Sequence, residues 1–163
     1  MLTEPKIIEK SEQPYAAIPL KLRQPEISGT APPLIDEVIA WVKEQGGELN
    51  GPPFFDYITF YPGGEMDMLV GMPTSTVLPA GGRFTTGKLP GGRYASLTAT
   101  VPYHELHDAN MKLDGWAREQ GYEFAGSPDG DCFKDATRLE IYHKDPGEDP
   151  SGNPVTEIAF RVK

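Results

Sequence analysis

Apolar positions follow two rhythms along the chain. Leu34, Val38, Trp41 and Val42 fall at i, i+4, i+7 and i+8, one face of a helix. Thr30, followed by Pro32 and Pro33 at positions suited to a first turn, opens that helix, and Gly46-Gly47 stops it. Residues 5–22 read as extended. After Gly51-Pro52-Pro53, Phe55, Tyr57, Thr59 and Tyr61 alternate with Asp56, Ile58 and Phe60, and Pro62-Gly63-Gly64 leads into 66–72, a hairpin of period two. Further on, 84–88 and 93–101 flank Leu89-Pro90-Gly91-Gly92 as a second hairpin. A helix then covers about 103–120 with the weaker stripe Leu106, Asn110, Leu113 and Ala117. The last strands are 138–143 and 156–162, joined by a turn-rich stretch.

The order of elements repeats, and so do some residues. Trp41-Val42-Lys43-Glu44-Gln45-Gly46 returns as Trp116-Ala117-Arg118-Glu119-Gln120-Gly121, and Tyr15-Ala16-Ala17-Ile18 is echoed by Tyr94-Ala95-Ser96-Leu97. The chain therefore reads as one domain made of two strand-helix-strand-strand modules, 1–79 and 80–163. Side by side they make an α+β fold with pseudo-twofold symmetry: antiparallel sheet, two main helices and a ligand cleft at the seam.

Composition narrows the function classes. The 163 residues carry 15 Lys+Arg against 24 Asp+Glu, a formal charge of −9. Such a chain lacks the cationic surface that displaces counterions from nucleic acid, or that holds an anionic membrane, but it can concentrate cations. Glycine (18) and proline (17) are abundant, yet 7 Phe, 7 Tyr and 2 Trp suffice for a core, so the Gly and Pro residues read as turns. One cysteine, Cys132, permits no internal disulfide and fits a reducing compartment. With no signal-like N-terminus and no apolar run of membrane-spanning length, a cytoplasmic, soluble protein is expected.

Several motifs carry no chemistry on inspection. His104-Glu105-Leu106-His107 lacks the i, i+4 histidine spacing of a zinc helix, so no metal site is expected. Asp129-Gly130-Asp131 beside Cys132 opposes thiolate formation. The glycine pairs at 63–64, 81–82 and 91–92 lie between strand patterns and cradle no phosphate, so no nucleotide cofactor is expected. The informative segment is Arg138-Leu139-Glu140-Ile141-Tyr142. As a strand it puts Leu139 and Ile141 on one face and Arg138, Glu140 and Tyr142 on the other, so Glu140 is either part of a solvated face or a carboxylate set beside an aromatic ring in a site.

Glu140-Ile141-Tyr142, then Asp145-Pro146, a Pro-containing turn and Thr156-Glu157-Ile158 opening a terminal strand resemble the closing signature of the GyrI-like small-molecule-binding domain, the effector-binding domain of AraC-type and MerR-type bacterial multidrug regulators, which also occurs alone. The duplicated module is similar to that family's architecture over essentially the whole chain. The resemblance implies a cleft for lipophilic, often cationic aromatic compounds, with Glu140 as counter-ion, Tyr142 lining the pocket and Trp116 as an aromatic wall. Tyr57 and Met68, by facing direction, and Met111, on the second helix, complete the candidate ligand-binding set. Because the two modules use the whole length, no DNA-reading element is expected. The leading expectation is a stand-alone binding module for multidrug sensing or sequestration, with no cofactor. The alternative is a hydrolase of strained electrophilic compounds using Glu140 and a tyrosine such as Tyr142, and the third reading is a protein-interaction module of gyrase-inhibitor type.

Overall fold

The computed structural model describes residues 1–163. Ten strands run β1 Lys6–Lys10, β2 Gln13–Arg23, β3 Phe54–Phe60, β4 Glu65–Pro73, β5 Thr85–Leu89, β6 Gly92–Thr100, β7 Ser127–Asp129, β8 Cys132–Lys134, β9 Arg138–Lys144 and β10 Val155–Arg161. Three helices accompany them: α1 Gln24–Thr30, α2 Leu34–Glu44 and α3 Leu106–Glu119. The main sheet has the order β1-β6-β10-β9-β3-β4-β2-β5, antiparallel throughout, with β7 and β8 as a small hairpin against β3. Its centre, β6-β10-β9-β3-β4-β2, reads as first, third and second strands of one strand-helix-strand-strand half followed by second, third and first of the other. That palindrome is what a twofold axis between β3 and β9 produces.

The expected 84–88/93–101 hairpin is not there. β5 pairs with β2, and β6 pairs with β1 and β10, so the chain passes Pro90-Gly91 without reversing. Both ladders keep one register, from Lys6↔Ser96 to Ala17↔Thr85, interrupted only where residues 11–12 face 90–91. At that double kink a Cβ on Gly91 would lie 2.9 Å from the Glu12 backbone nitrogen, so glycine is what allows the two backbones to approach. Since β1 continues into β2 and β5 into β6, the sheet ends in the same two stretches of chain and curls into a half-barrel.

Side-chain alternation gives the sheet two apolar faces. On the outer face α3 covers Ala95, Leu97, Ile158 and Phe160 through Leu106, Ala109, Leu113 and Ala117. There α2 covers Ala16, Ile18 and Met72 through Val38, Trp41 and Val42. The stripe read over 34–42 is thus the buried one, with Leu34 partly buried at its start. Thr30 closes α1 instead of opening α2, whose N-cap is Pro33. The short α1 escaped the pattern because Pro25 and Gly29 obscure it; Glu26 caps it by accepting the Arg23 N–H at 2.9 Å, and Ile27 and Ala31 press on Leu22 and Phe55.

The inner face buries Phe54, Leu89, Tyr94, Leu139 and Ala159 with no helix above them. Asp56 lies on this side of β3 at 5% exposure, with Oδ1 lacking a hydrogen-bond partner. Burial pushes its carboxyl up from 3.8 to about 7, against the opposing pull of the Arg138 backbone N–H and the Arg161 charge. The folded chain therefore holds this proton to higher pH than the unfolded chain, and stability falls as pH rises from 3.8 to about 7. Asp56→Asn is expected to stabilise the protein at pH 8 by at least about 1 kcal/mol, a gain that fades toward pH 4. Urea unfolding at the two pH values checks this, and an equal effect at both would contradict the assignment.

Candidate functional site

The β3–β9 pair at the centre of the sheet carries the site on its outer face. Register places Phe55 opposite Glu140, and alternation puts Phe55, Tyr57, Glu140 and Tyr142 on the same side. No helix covers this strip directly. α1 and α2 flank one side and the turn at 103–105 with the first turn of α3 flanks the other, leaving a cavity of about 650 Å³. Its apolar walls are Ile27, Ile35, Ile39, Phe55, Tyr103 and Leu106. Tyr142 meets Phe55 edge to face at 4.9 Å and Tyr103 at 6.1 Å between ring centroids.

Glu140 forms the floor at 7% exposure. Its Oε1 accepts the hydroxyls of Tyr57 at 2.9 Å and Tyr142 at 2.8 Å, and its Oε2 accepts Asn110 Nδ2 at 2.9 Å. Asn110 also donates to the Leu106 carbonyl one turn earlier, which fixes its amide to α3. Burial, then the negative charge of Glu140, push both phenols well above 10, so they remain donors. All three partners are neutral. Arg138, two residues earlier on the same face, is held by Asp114 at 3.1 Å and by the rings of Phe60, Phe124 and Phe160. The cavity lining contains Asp36, Glu140 and Asp145 but no lysine or arginine. A buried carboxylate thus has hydrogen bonds and no counter-charge, in a space walled by aromatic and branched side chains.

Of the six residues singled out from the sequence, Glu140, Tyr142 and Tyr57 come together here. The other three do not line the cavity. Met68 shares the face of Tyr57 but is 1% exposed, packed beneath Phe55 with Leu22 and Ala31. Trp116 lies ten residues beyond Leu106, about 15 Å along the helix, where it stacks on Tyr122 at 6.0 Å. Met111, on the solvent side of α3, is 57% exposed. Only the start of α3 reaches the site, and sequence alone does not set that angle. Phe55, Tyr103 and Asn110 were not singled out. Phe55 could have been, since it shares Tyr57's strand face; Asn110 sat in the α3 stripe as its one polar member, which was a signal. His104 and His107 lie on the rim, and no group of three or more His, Cys, Asp or Glu side chains has the spacing to hold a metal ion.

This is an α+β domain with an aromatic-walled cavity at its pseudo-twofold seam. The family model of the GyrI-like small molecule binding domain matches residues 3–163, and the chain belongs to that family. A sequence comparison with curated proteins gave no match. Among solved structures, the EcmrR C-terminal domain is similar at a TM-score of 0.77 and 19% identity, covering 98% of this chain and 97% of that one. In the EcmrR–DNA complex the same likeness spans only 57% of the EcmrR chain. SAV2435 bound to tetraphenylphosphonium is similar at 0.62 and 16% identity, covering 99% of this chain and 94% of that one. A hydrolase from Listeria innocua is similar at 0.56 and 12%, covering 98% and 92%. At these identities the likeness is one of fold. No helix is long and apolar enough to cross a membrane.

Proposed function

We propose that the chain binds lipophilic, aromatic cations in the Glu140 cavity, with Glu140 as their counter-ion, and that it serves multidrug sensing or sequestration. The observation that carries the reading is the Glu140 carboxylate: buried, hydrogen-bonded by three neutral donors, and facing a cavity without a lysine or arginine. An organic cation supplies the missing charge at low desolvation cost, and the faces of Phe55, Tyr103 and Tyr142 add roughly 0.5 to 2 kcal/mol each where they meet it. Support also comes from SAV2435, a protein of the same fold bound to tetraphenylphosphonium.

The same groups would be those of a hydrolase, Glu140 orienting water and a tyrosine donating a proton. Phenols raised well above 10 are poor acids at neutral pH, and both carboxylate oxygens already accept hydrogen bonds, so binding is favoured. Titration calorimetry with tetraphenylphosphonium is expected to give one site per chain. Aromatic epoxides incubated with the protein are expected to be recovered unchanged; their enzyme-dependent hydrolysis, lost in Glu140→Gln, would replace this reading with the hydrolase.

A further inference from the structure

The carboxylate on the cavity floor has a charge without a partner but lone pairs that are mostly taken. A carboxylate offers about four acceptor directions. On Glu140, Oε1 is used twice, by the hydroxyls of Tyr57 at 2.9 Å and Tyr142 at 2.8 Å, and Oε2 once, by Asn110 Nδ2 at 2.9 Å. These donors are held in place. Asn110 is tied by its second hydrogen to the Leu106 carbonyl at 2.8 Å, and the Tyr142 ring meets Phe55 on one side and Tyr103 on the other. One acceptor direction is left for a guest.

The surroundings add little to it. Of the walls, Ile27, Ile35, Ile39, Tyr103 and Tyr142 keep surface for a guest, and the three isoleucines have no acceptor. Phenol oxygens are poor acceptors, because they share a lone pair with the ring. The Pro53 carbonyl already accepts the Tyr142 N–H at 3.0 Å. The other acceptors of the lining, Gln24, Ser28, Asp36, His104, His107 and Asp145, are all exposed, so an N–H paired with one of them stays in water. A primary ammonium brings three N–H donors and a guanidinium five. At the floor most of these would lose strongly bound water and find no partner. The charge of Glu140, by contrast, attracts a cation however its lone pairs are engaged. An ion with carbon on every side of its charge needs only that attraction and the ring surfaces of Tyr103 and Tyr142.

We propose that the Glu140 cavity selects among organic cations by their N–H content, taking quaternary ammonium and phosphonium ions and discriminating against protonated amines and guanidinium ions of equal size. The inference rests on Glu140 being the counter-ion, and it makes the hydrogen bonds from Tyr57, Tyr142 and Asn110 the selectivity device.

Benzyltrimethylammonium and α,α-dimethylphenethylammonium test it. The two are isomers of nearly one shape, with nitrogen and a methyl group exchanged, and both are cations at pH 7, since an alkylammonium loses its proton only at about pH 10. Displacement of tetraphenylphosphonium, followed by calorimetry, gives the affinity of each at the Glu140 cavity. The quaternary isomer is expected to bind at least tenfold more tightly. Tyr57→Phe and Tyr142→Phe each remove one oxygen and free an acceptor direction on Oε1, and each should narrow that ratio at least threefold in favour of the primary ammonium. If one variant fails to fold, the other decides. Equal affinities of the two isomers, or a ratio unmoved by the phenylalanine substitutions, would overturn the proposal. Tetraphenylphosphonium binding that ignores Glu140→Gln would overturn the counter-ion reading beneath it, so the two failures are separate.

Discussion

Glu140→Gln is expected to weaken tetraphenylphosphonium binding by about 1 to 3 kcal/mol, roughly 5- to 150-fold, while an uncharged triphenyl compound such as triphenylmethanol loses little. The substitution keeps the shape of the floor and removes its charge. In the native site the carboxylate is already satisfied by Tyr57, Tyr142 and Asn110, so its hydrogen bonds gain nothing from the ligand; what the ligand adds is the opposite charge. That difference confines the loss to cationic ligands. Glutamine also turns an NH2 toward one of three donors, which costs a hydrogen bond, but it removes a buried charge that lacks a counter-charge. The two effects oppose each other, so stability should change by less than about 1 kcal/mol. Calorimetric titrations of the two ligands against both proteins measure this. Equal losses would mean that Glu140 holds the cavity in shape and is no counter-ion, and no loss for either would place it outside the ligand's contacts.

Trp41→Ala is expected to cost about 3 to 5 kcal/mol of stability, the loss typical of an aromatic removed from a packed core. Trp41 is 8% exposed and stacks on Phe84 at 4.8 Å with 10° between the rings. It closes the cluster of Val38, Val42, Ala16, Ile18 and Met72, and through Phe84 it ties α2 to the chain entering β5. Deletion leaves a void that the two-sided sheet cannot collapse to fill. Trp116→Ala should cost less, because Trp116 is only partly buried at the edge of the α3 cluster. Reversible urea unfolding checks both; a loss below about 1 kcal/mol at Trp41 would show that the packing face was misassigned.

What could be read from sequence was local. The repeated Trp-x-Lys/Arg-Glu-Gln-Gly ends both helices in one way: the N–H of Gln45 and of Gln120 returns to the Trp carbonyl, and Gly46 and Gly121 take φ of +72° and +81°. Those contacts span a few residues, so residue type at fixed spacing dictates them. Strand faces were legible for the same reason, because a period of two depends only on the strand itself. Partners were not. The 84–88 and 93–101 segments look like a hairpin, since two strands around a Pro-Gly-Gly turn usually are one, and only the kink opposite residues 11–12 keeps them apart.

The candidate site divides along the same line. That Glu140 and Tyr142 share a strand face, and Phe55 and Tyr57 another, follows from residue order alone, because alternation is a property of each strand. The tertiary structure decided that these faces adjoin through the β3–β9 pair, that Asn110 reaches Glu140 from α3, and that Arg138 is drawn away from Glu140 by Asp114 and three phenyl rings. It also decided that Met68, Met111 and Trp116 lie in core, in solvent and far along α3, because the depth and angle of a helix on a curled sheet are set by packing between elements distant in sequence.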